Sequence, residues 1–272
     1  MSQPVSQTET TLHNITHESG ASVSLSCHGG TITSWKTADG IEQLYLSPES
    51  AFKTGSAIRG GIPMIFPQFS DHGPFGRHGF ARKVDWQFDE AAGAMHLSAT
   101  SETLSDWPHP FELSLRPSLT DTTLEVELTV ANPGAEPIEF QAALHTYLRL
   151  FDFESAQVSG LEGQSYQDQA TRNILTADSS PLTPGEEIDR AYFRTGEFAA
   201  HLQDQHHQVS SELEGFTDTV TWNPGPEHGI GDLPADGWKN YFCIEAAQIE
   251  KPVLLEPGQF WRGIQRLEAK PV

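Results

Sequence analysis

Short runs of alternating apolar and polar residues occupy most of the chain. "ASVSLSC", "GTITSWK" and "EQLYLS" come first, followed by "MHLSATS", "FELSLRPSL" and "TLEVELTVAN". "IEFQAALHTYLRLF" lies mid-chain, and "TVTWNP", "YFCIEAA" and "QFWRGIQRLEA" close it. A period of two places successive side chains on opposite faces of an extended strand, and β-branched and aromatic residues suit a half-buried face. "ANPGAEP", "SPLTPGEE" and "LEPGQF" read as turns, with proline fixing φ and glycine supplying positive φ. No helix-period segment exceeds about three turns, although "SPESAFK" and "ETLSDW" could form short helices. With no internal repeat and no linker, the pattern predicts an all-β sandwich or barrel.

Two of these strands carry chemistry on one face. In "IEFQAALHTYLRL", Ile138, Phe140, Ala142, Leu144, Leu148 and Leu150 share the core face. Glu139, Gln141, His145, Tyr147 and Arg149 share the other, which offers donors, an imidazole and an aromatic ring. That set suits a sugar-binding groove; an edge strand with a mixed wet face would look the same. In "YFCIEAAQ", Phe242, Ile244 and Ala246 face one way, and Tyr241, Cys243 and Glu245 face the other. Glu245 is a lone carboxyl among apolar neighbours. Partial burial would raise its pKa toward values useful for proton transfer, whereas a sheet-rim position would leave it an ordinary exposed glutamate.

Charge sharpens the picture. Among 272 residues, 37 are acidic and 16 basic, for a formal net charge of −21. Such a field repels nucleic acid and anionic lipid, and it suits a well-hydrated surface in a salty medium. The polar N-terminal stretch, residues 1–19, lacks a signal pattern, and no window approaches the roughly 18 apolar residues of a membrane span. The expectation is a cytoplasmic protein with one domain over 20–272. Cys27 and Cys243 are expected to be half-buried thiols rather than a disulfide. Against this acidic background, Arg59, Arg77 and Arg82 crowd one glycine-rich stretch with His78: "IRGGIPMIFPQFSDHGPFGRHGFARKVDW". They suggest a local anion site, unless each simply pairs with one of the many carboxylates.

In order along the chain, "RGGIPMIFPQF", "HGFAR", "LHTYL", "IDRAYF", "VTWNP" and "KNYFCIEAA" resemble the hexose-6-phosphate mutarotases. These form the glucose-6-phosphate 1-epimerase branch of the aldose 1-epimerase family. The resemblance spans about residues 20 to 268. It implies a large antiparallel β-sandwich, the galactose-mutarotase-like supersandwich, with sugar bound in a groove on one sheet. It further implies that His145 is the general acid and Glu245 the general base. By the same match His78 holds the sugar near its ring oxygen, Asp189 binds sugar hydroxyls, and Arg59 and Arg82 take the phosphate. The implied enzyme is a monomer that needs no metal and no cofactor, with a hexose 6-phosphate as its small-molecule partner. The chain departs from the family pattern at Ala246 and Ala247, where many relatives carry proline and glycine, and at Ile188, where threonine usually precedes the aspartate. The insert "SDHGPFG" adds a flexible tip before Arg77.

Other histidines, among them His72, His109, His206, His207 and His228, are expected at the surface. "QHH" at 205–207 lacks further ligands at metal-binding spacing. Trp107, Trp222 and Trp238 could stack on sugar, although burial is the commoner fate of tryptophan. Three alternatives stay open: the same chemistry on unphosphorylated aldoses, a non-catalytic sugar-phosphate sensor, and a glycoside hydrolase using Asp189 and Glu245 as its carboxylate pair.

Overall fold

The computed structural model describes residues 11–53, 55–99, 107–193 and 199–272. The alternating runs become antiparallel strands in three sheets. One eight-stranded sheet runs in the order Ile174–Thr176, Ser165–Asp168, Ile188–Phe193, Asp218–Asn223, Tyr241–Leu255, Ile138–Leu144 and Met64–Ile65, with Tyr147–Arg149 also paired to Tyr241–Leu255. The second eight-stranded sheet is centred on His207–Glu214, Phe260–Pro271, Thr123–Ala131 and Phe111–Leu119. A three-stranded sheet, Leu12–Thr16, Ser22–Ser26 and Ile32–Lys36, completes the fold. Part of the polar N-terminal stretch, Leu12–Thr16, thus forms a strand paired with Ser22–Ser26. No helix among the described residues is long and apolar enough to cross a membrane.

The core lies between the two large sheets, where the predicted apolar faces meet. Phe140, Leu144, Phe242 and Ile244 from one sheet join Leu113, Leu115, Val126 and Leu128 from the other, all 2% exposed or less. Phe66 is its aromatic centre, within 6 Å of the Phe80, Trp107, Phe111 and Phe140 rings. Trp107 and Trp238 are buried, so neither is free to stack on a ligand.

The "SPESAFK" run forms a turn instead of a short helix. Proline at 48 and the Ser50 hydroxyl, which accepts from the Arg59 amide, favour a capped loop. Residues 102–106 of "ETLSDW" lie outside the described residues. Short 3₁₀ turns form at Ala81–Lys83, which includes Arg82, and at Gly237–Asn240, which leads into Tyr241–Leu255.

Candidate active site

The sheet's outward face becomes a cleft through register. Tyr241–Leu255 pairs with Ile138–Leu144 at Ala246↔Leu144 and with Tyr147–Arg149 at Cys243↔Tyr147. The break between these two partners falls at His145 and Thr146, directly opposite Glu245. Across the other edge, Cys243 pairs with Trp222 and Trp222 with Asp189. Because side chains alternate, Asp189, Trp222, Cys243 and Tyr147 form one row on the same face, with Glu245 and His145 in the next.

Sequence separation of 100 residues therefore closes to 3.5 Å between His145 Nε2 and Glu245 Oε1. Glu245 is 1% exposed and His145 6%. Burial first, and then the nearby Asp189 charge, pushes the Glu245 carboxyl well above its usual range. Burial also holds His145 well below the usual imidazole value, reinforced by Arg82, Arg59 and Arg77. Both effects favour a neutral carboxylic acid beside a neutral imidazole rather than an ion pair. His145 Nδ1 and Glu245 Oε2 have no hydrogen-bond partner. Buried orphans of this kind are normally avoided, costing about 1–3 kcal/mol each, so this pair gives up stability.

The glycine-rich segment wraps the cleft on its cationic side. Gly60 and Gly61 have φ of 108° and 67°. A side chain on Gly61 would strike the carbonyl of Ile32, so the loop packs flat against the small sheet and brings Arg59 inward. Arg59 Nε donates to Asp232 Oδ1 at 3.0 Å, and its Nη1 donates to the Tyr147 hydroxyl at 3.1 Å. The Tyr147 ring stacks on His145 with centroids 4.9 Å apart. His78, at φ 62°, lies 5.9 Å ring to ring from His145. Its Nδ1 accepts from the Ser70 amide at 3.2 Å, which leaves the proton on Nε2. Arg82 Nη2 donates to the Arg77 carbonyl at 3.4 Å, while Arg82 Nε has no partner. Burial, with Arg59 and Arg77 nearby, lowers the Arg82 pKa to about 10. Among the described residues, neither Arg77 nor Arg82 forms an ion pair with a carboxylate.

Asp189 is half-buried, and burial raises its pKa to about 6, with Arg77 opposing the rise and Glu187 and Asp168 adding to it. The expected flexible tip is in fact anchored. The buried Gln68 amide donates to the carbonyls of Ser70 and Gly76, and its oxygen accepts from the Phe75 amide. His207 departs from its expected surface position: it is 7% exposed and lies against Asp204. Cys243 is fully buried in the cleft floor, not half-buried.

The six residues singled out from sequence thus lie around the His145–Glu245 contact. Three neighbours complete the surroundings of His145. Trp222, one of the tryptophans able to stack on sugar, is half-buried, with its ring 5.6 Å from His145. Tyr147, on the polar face of its segment, accepts from Arg59 through its hydroxyl. Asp232, 173 residues from Arg59, carries no local signal at all.

The antiparallel β-sandwich thus carries a buried carboxyl–imidazole pair on one sheet, with arginines beside it. The aldose 1-epimerase pattern matches residues 11–268. A protein of Cenchrus ciliaris named "Putative glucose-6-phosphate 1-epimerase" is 34% identical over 263 residues, covering 90% of this chain and 80% of its own. A protein of the same name from Escherichia coli K12 is also 34% identical, over 89% of this chain and 86% of its own. The crystal structure of a "putative mutarotase" from Salmonella typhimurium superposes with a TM-score of 0.85 at 27% identity, covering 97% of this chain and 92% of that one. The chain belongs to the aldose 1-epimerase family.

Proposed function

We propose that this protein interconverts the α and β anomers of hexose 6-phosphates, glucose 6-phosphate foremost. The supporting observation is the pairing of the His145–Glu245 contact with two arginines, Arg77 and Arg82, that lack carboxylate partners in a chain of net charge −21. A guanidinium without a carboxylate partner has donors free for an external anion. The names carried by the relatives point to the same substrate.

In the ring-opening direction the Glu245 carboxylate takes the proton of the C1 hydroxyl. The freed electron pair forms the C1 carbonyl, the C1–O5 bond breaks toward O5, and His145 delivers a proton there. Rotation about C1–C2 presents the other carbonyl face, and the two residues exchange roles on closure. The two oxygens share one carbon, so acid and base must converge, as a 3.5 Å separation allows. After opening, Glu245 is protonated and His145 neutral, which is the form that burial favours in the empty cleft. Ring opening starts from the opposite, ionic form. A phosphate dianion among Arg59, Arg77 and Arg82 offsets the positive field that disfavours the His145 cation, and so prepares the site for its own substrate. His78 Nε2–H and Asp189 serve sugar hydroxyls, and Trp222 supplies an apolar wall.

The test is anomer exchange by NMR saturation transfer on glucose 6-phosphate, with glucose in parallel. Faster exchange on the ester alone supports the whole reading. Faster exchange on glucose alone keeps the proton chemistry and removes the phosphate site.

A further inference from the structure

The strand Phe260–Pro271 turns Trp261, Gly263, Gln265, Leu267 and Ala269 toward the core, since alternate residues share a face. Four of these suit an apolar interior. Gln265 does not, yet it is fully buried. A buried carboxamide is stable only when its donors and its acceptor are matched, so the groups that Gln265 holds are informative.

Its amide reaches across the core to the sheet that carries the His145–Glu245 contact. Nε2 donates to the Ile244 carbonyl and to the Ser211 hydroxyl oxygen, both at 3.0 Å. A carbonyl can only accept, which fixes the nitrogen on that side. Oε1 is then left to accept from the Thr146 hydroxyl, at 2.6 Å. The second acceptor near that hydroxyl, the Leu144 carbonyl, is at 3.5 Å. Thr146 and Ile244 are also joined directly, the Ile244 amide donating to the Thr146 carbonyl at 3.2 Å. Three hydrogen bonds thus close a cycle through Gln265, Ile244 and Thr146, all fully buried.

The cycle sits where ladder pairing is interrupted. His145 and Thr146 fall between the strands Ile138–Leu144 and Tyr147–Arg149 and belong to neither. His145 immediately precedes Thr146, and Glu245 immediately follows Ile244. The two proton-carrying side chains therefore leave the sheet next to the two residues that the cycle ties together, on the cleft side, while the cycle itself faces the core. We propose that Gln265 is a positioning residue for proton transfer: from behind the sheet it fixes Thr146 against Ile244, and so holds His145 and Glu245 at the separation the reaction needs. The inference rests on the acid–base reading of that pair. Ser211 is outside the cycle, on His207–Glu214 in the same sheet as Gln265. Its hydrogen bond steadies the amide without touching the segments that carry His145 and Glu245.

Anomer exchange on glucose 6-phosphate and on glucose is measured, together with thermal melting, for wild type, Thr146→Val, Thr146→Ser, Ser211→Ala and Gln265→Met. Thr146→Val removes the hydroxyl of the cycle at constant shape. It should lower kcat roughly 10–100-fold with KM little changed, the mark of misaligned groups rather than lost binding. Thr146→Ser keeps the hydroxyl and should recover most of that loss. Ser211→Ala should lower the melting temperature about as much as Thr146→Val and keep the wild-type kcat. Where Gln265→Met folds, its kcat should fall at least as far as that of Thr146→Val, which carries the test where it does not. A purely structural glutamine predicts that kcat follows melting temperature across the variants, and that result overturns the proposal. So does an unchanged kcat in Thr146→Val, a loss confined to KM, or a Thr146→Ser variant as slow as Thr146→Val. If wild type accelerates exchange on neither sugar, the activity reading fails by itself and the His145 ring nitrogen resonances decide the inference. They should move in Thr146→Val and hold in Thr146→Ser; resonances unmoved in both, or moved equally, overturn it.

Discussion

Arginine is used in opposite ways on the two large sheets. On the outer face of the sheet built around Thr123–Ala131 and Phe260–Pro271, Arg116, Arg262 and Arg266 each have a glutamate partner. Arg116 lies 3.0 Å from Glu127, Arg262 3.5 Å from the same residue and also against Glu214, and Arg266 3.8 Å from Glu125. Those side chains are exposed, so each pair is worth about 0–1 kcal/mol and is screened by salt. At the cleft, among the described residues, Arg77 and Arg82 have no carboxylate partner and Arg59 is paired with Asp232. The outer-face arginines answer to the protein's own charge, and under the proposed function the cleft arginines answer to a ligand.

The largest effect that tests this contrast is loss of the proton pair. His145→Asn or Glu245→Gln should lower anomer exchange on glucose 6-phosphate by about 10²–10⁴-fold, with circular dichroism unchanged. Next, Arg82→Leu should lower kcat/KM for glucose 6-phosphate by roughly 10–100-fold, the worth of a charged hydrogen bond, with little change on glucose. In the absence of substrate the same variant should melt no lower than wild type. Arg116→Leu, on the outer face, should change Tm and activity only slightly, within about 1 kcal/mol. Equal sensitivity at the two positions would erase the comparison.

A finer test keeps every side chain in place. If phosphate acts partly by offsetting the arginines around His145, phosphite dianion should accelerate anomer exchange of unphosphorylated glucose, and that acceleration should vanish in Arg82→Leu. Exchange rates of glucose across a phosphite titration decide it.

The pH dependence of stability carries the smallest signal, and its sign is fixed by burial. The Glu245 carboxyl titrates well above its 4.5 reference in the fold. The folded state therefore holds a proton that the unfolded chain releases. The stabilisation is complete below about 4.5 and is lost as pH rises through the folded value. Asp189 behaves likewise between 3.8 and about 6. His145 acts in the other direction: it stays neutral in the fold, so stability falls as pH drops below 6.5. Denaturant titrations of Glu245→Gln against wild type should show a stability gain that grows from pH 5 to pH 8. A gain that stays flat over that range would mean that the buried carboxyl is ionised at rest.

Much of this was readable from local pattern. "TLEVELTVAN" alternates cleanly and forms Thr123–Ala131, with Leu124, Val126, Leu128 and Val130 all inward. The two faces of the 138–150 segment also came out as read, because a period of two is a property of neighbours along the chain. What local pattern does not carry is pairing across the sheet. Trp222 joins the cleft only because it lies between Asp189 and Cys243 in register. Asp232 steadies Arg59 from a distant loop, and nothing distinguishes it from the other acidic residues in one dimension. His207 looked like half of an exposed dipeptide, but the Asp204 carboxylate organises that turn and folds the ring inward. The short helix expected of "SPESAFK" is replaced by a turn because the Ser50 hydroxyl caps the Arg59 amide, a contact across 9 residues that local pattern does not carry.

Cys243 lies in the cleft floor between Tyr147 and Trp222, with no exposed surface and a thiol pushed well above its usual pKa by burial and by Glu245. It can react with a maleimide only when the sheet parts. Its labelling rate in native buffer is therefore a clock for openings of this floor, read against Cys27, which is only half-buried. A ligand that fills the cleft should slow that clock without touching the sulfur.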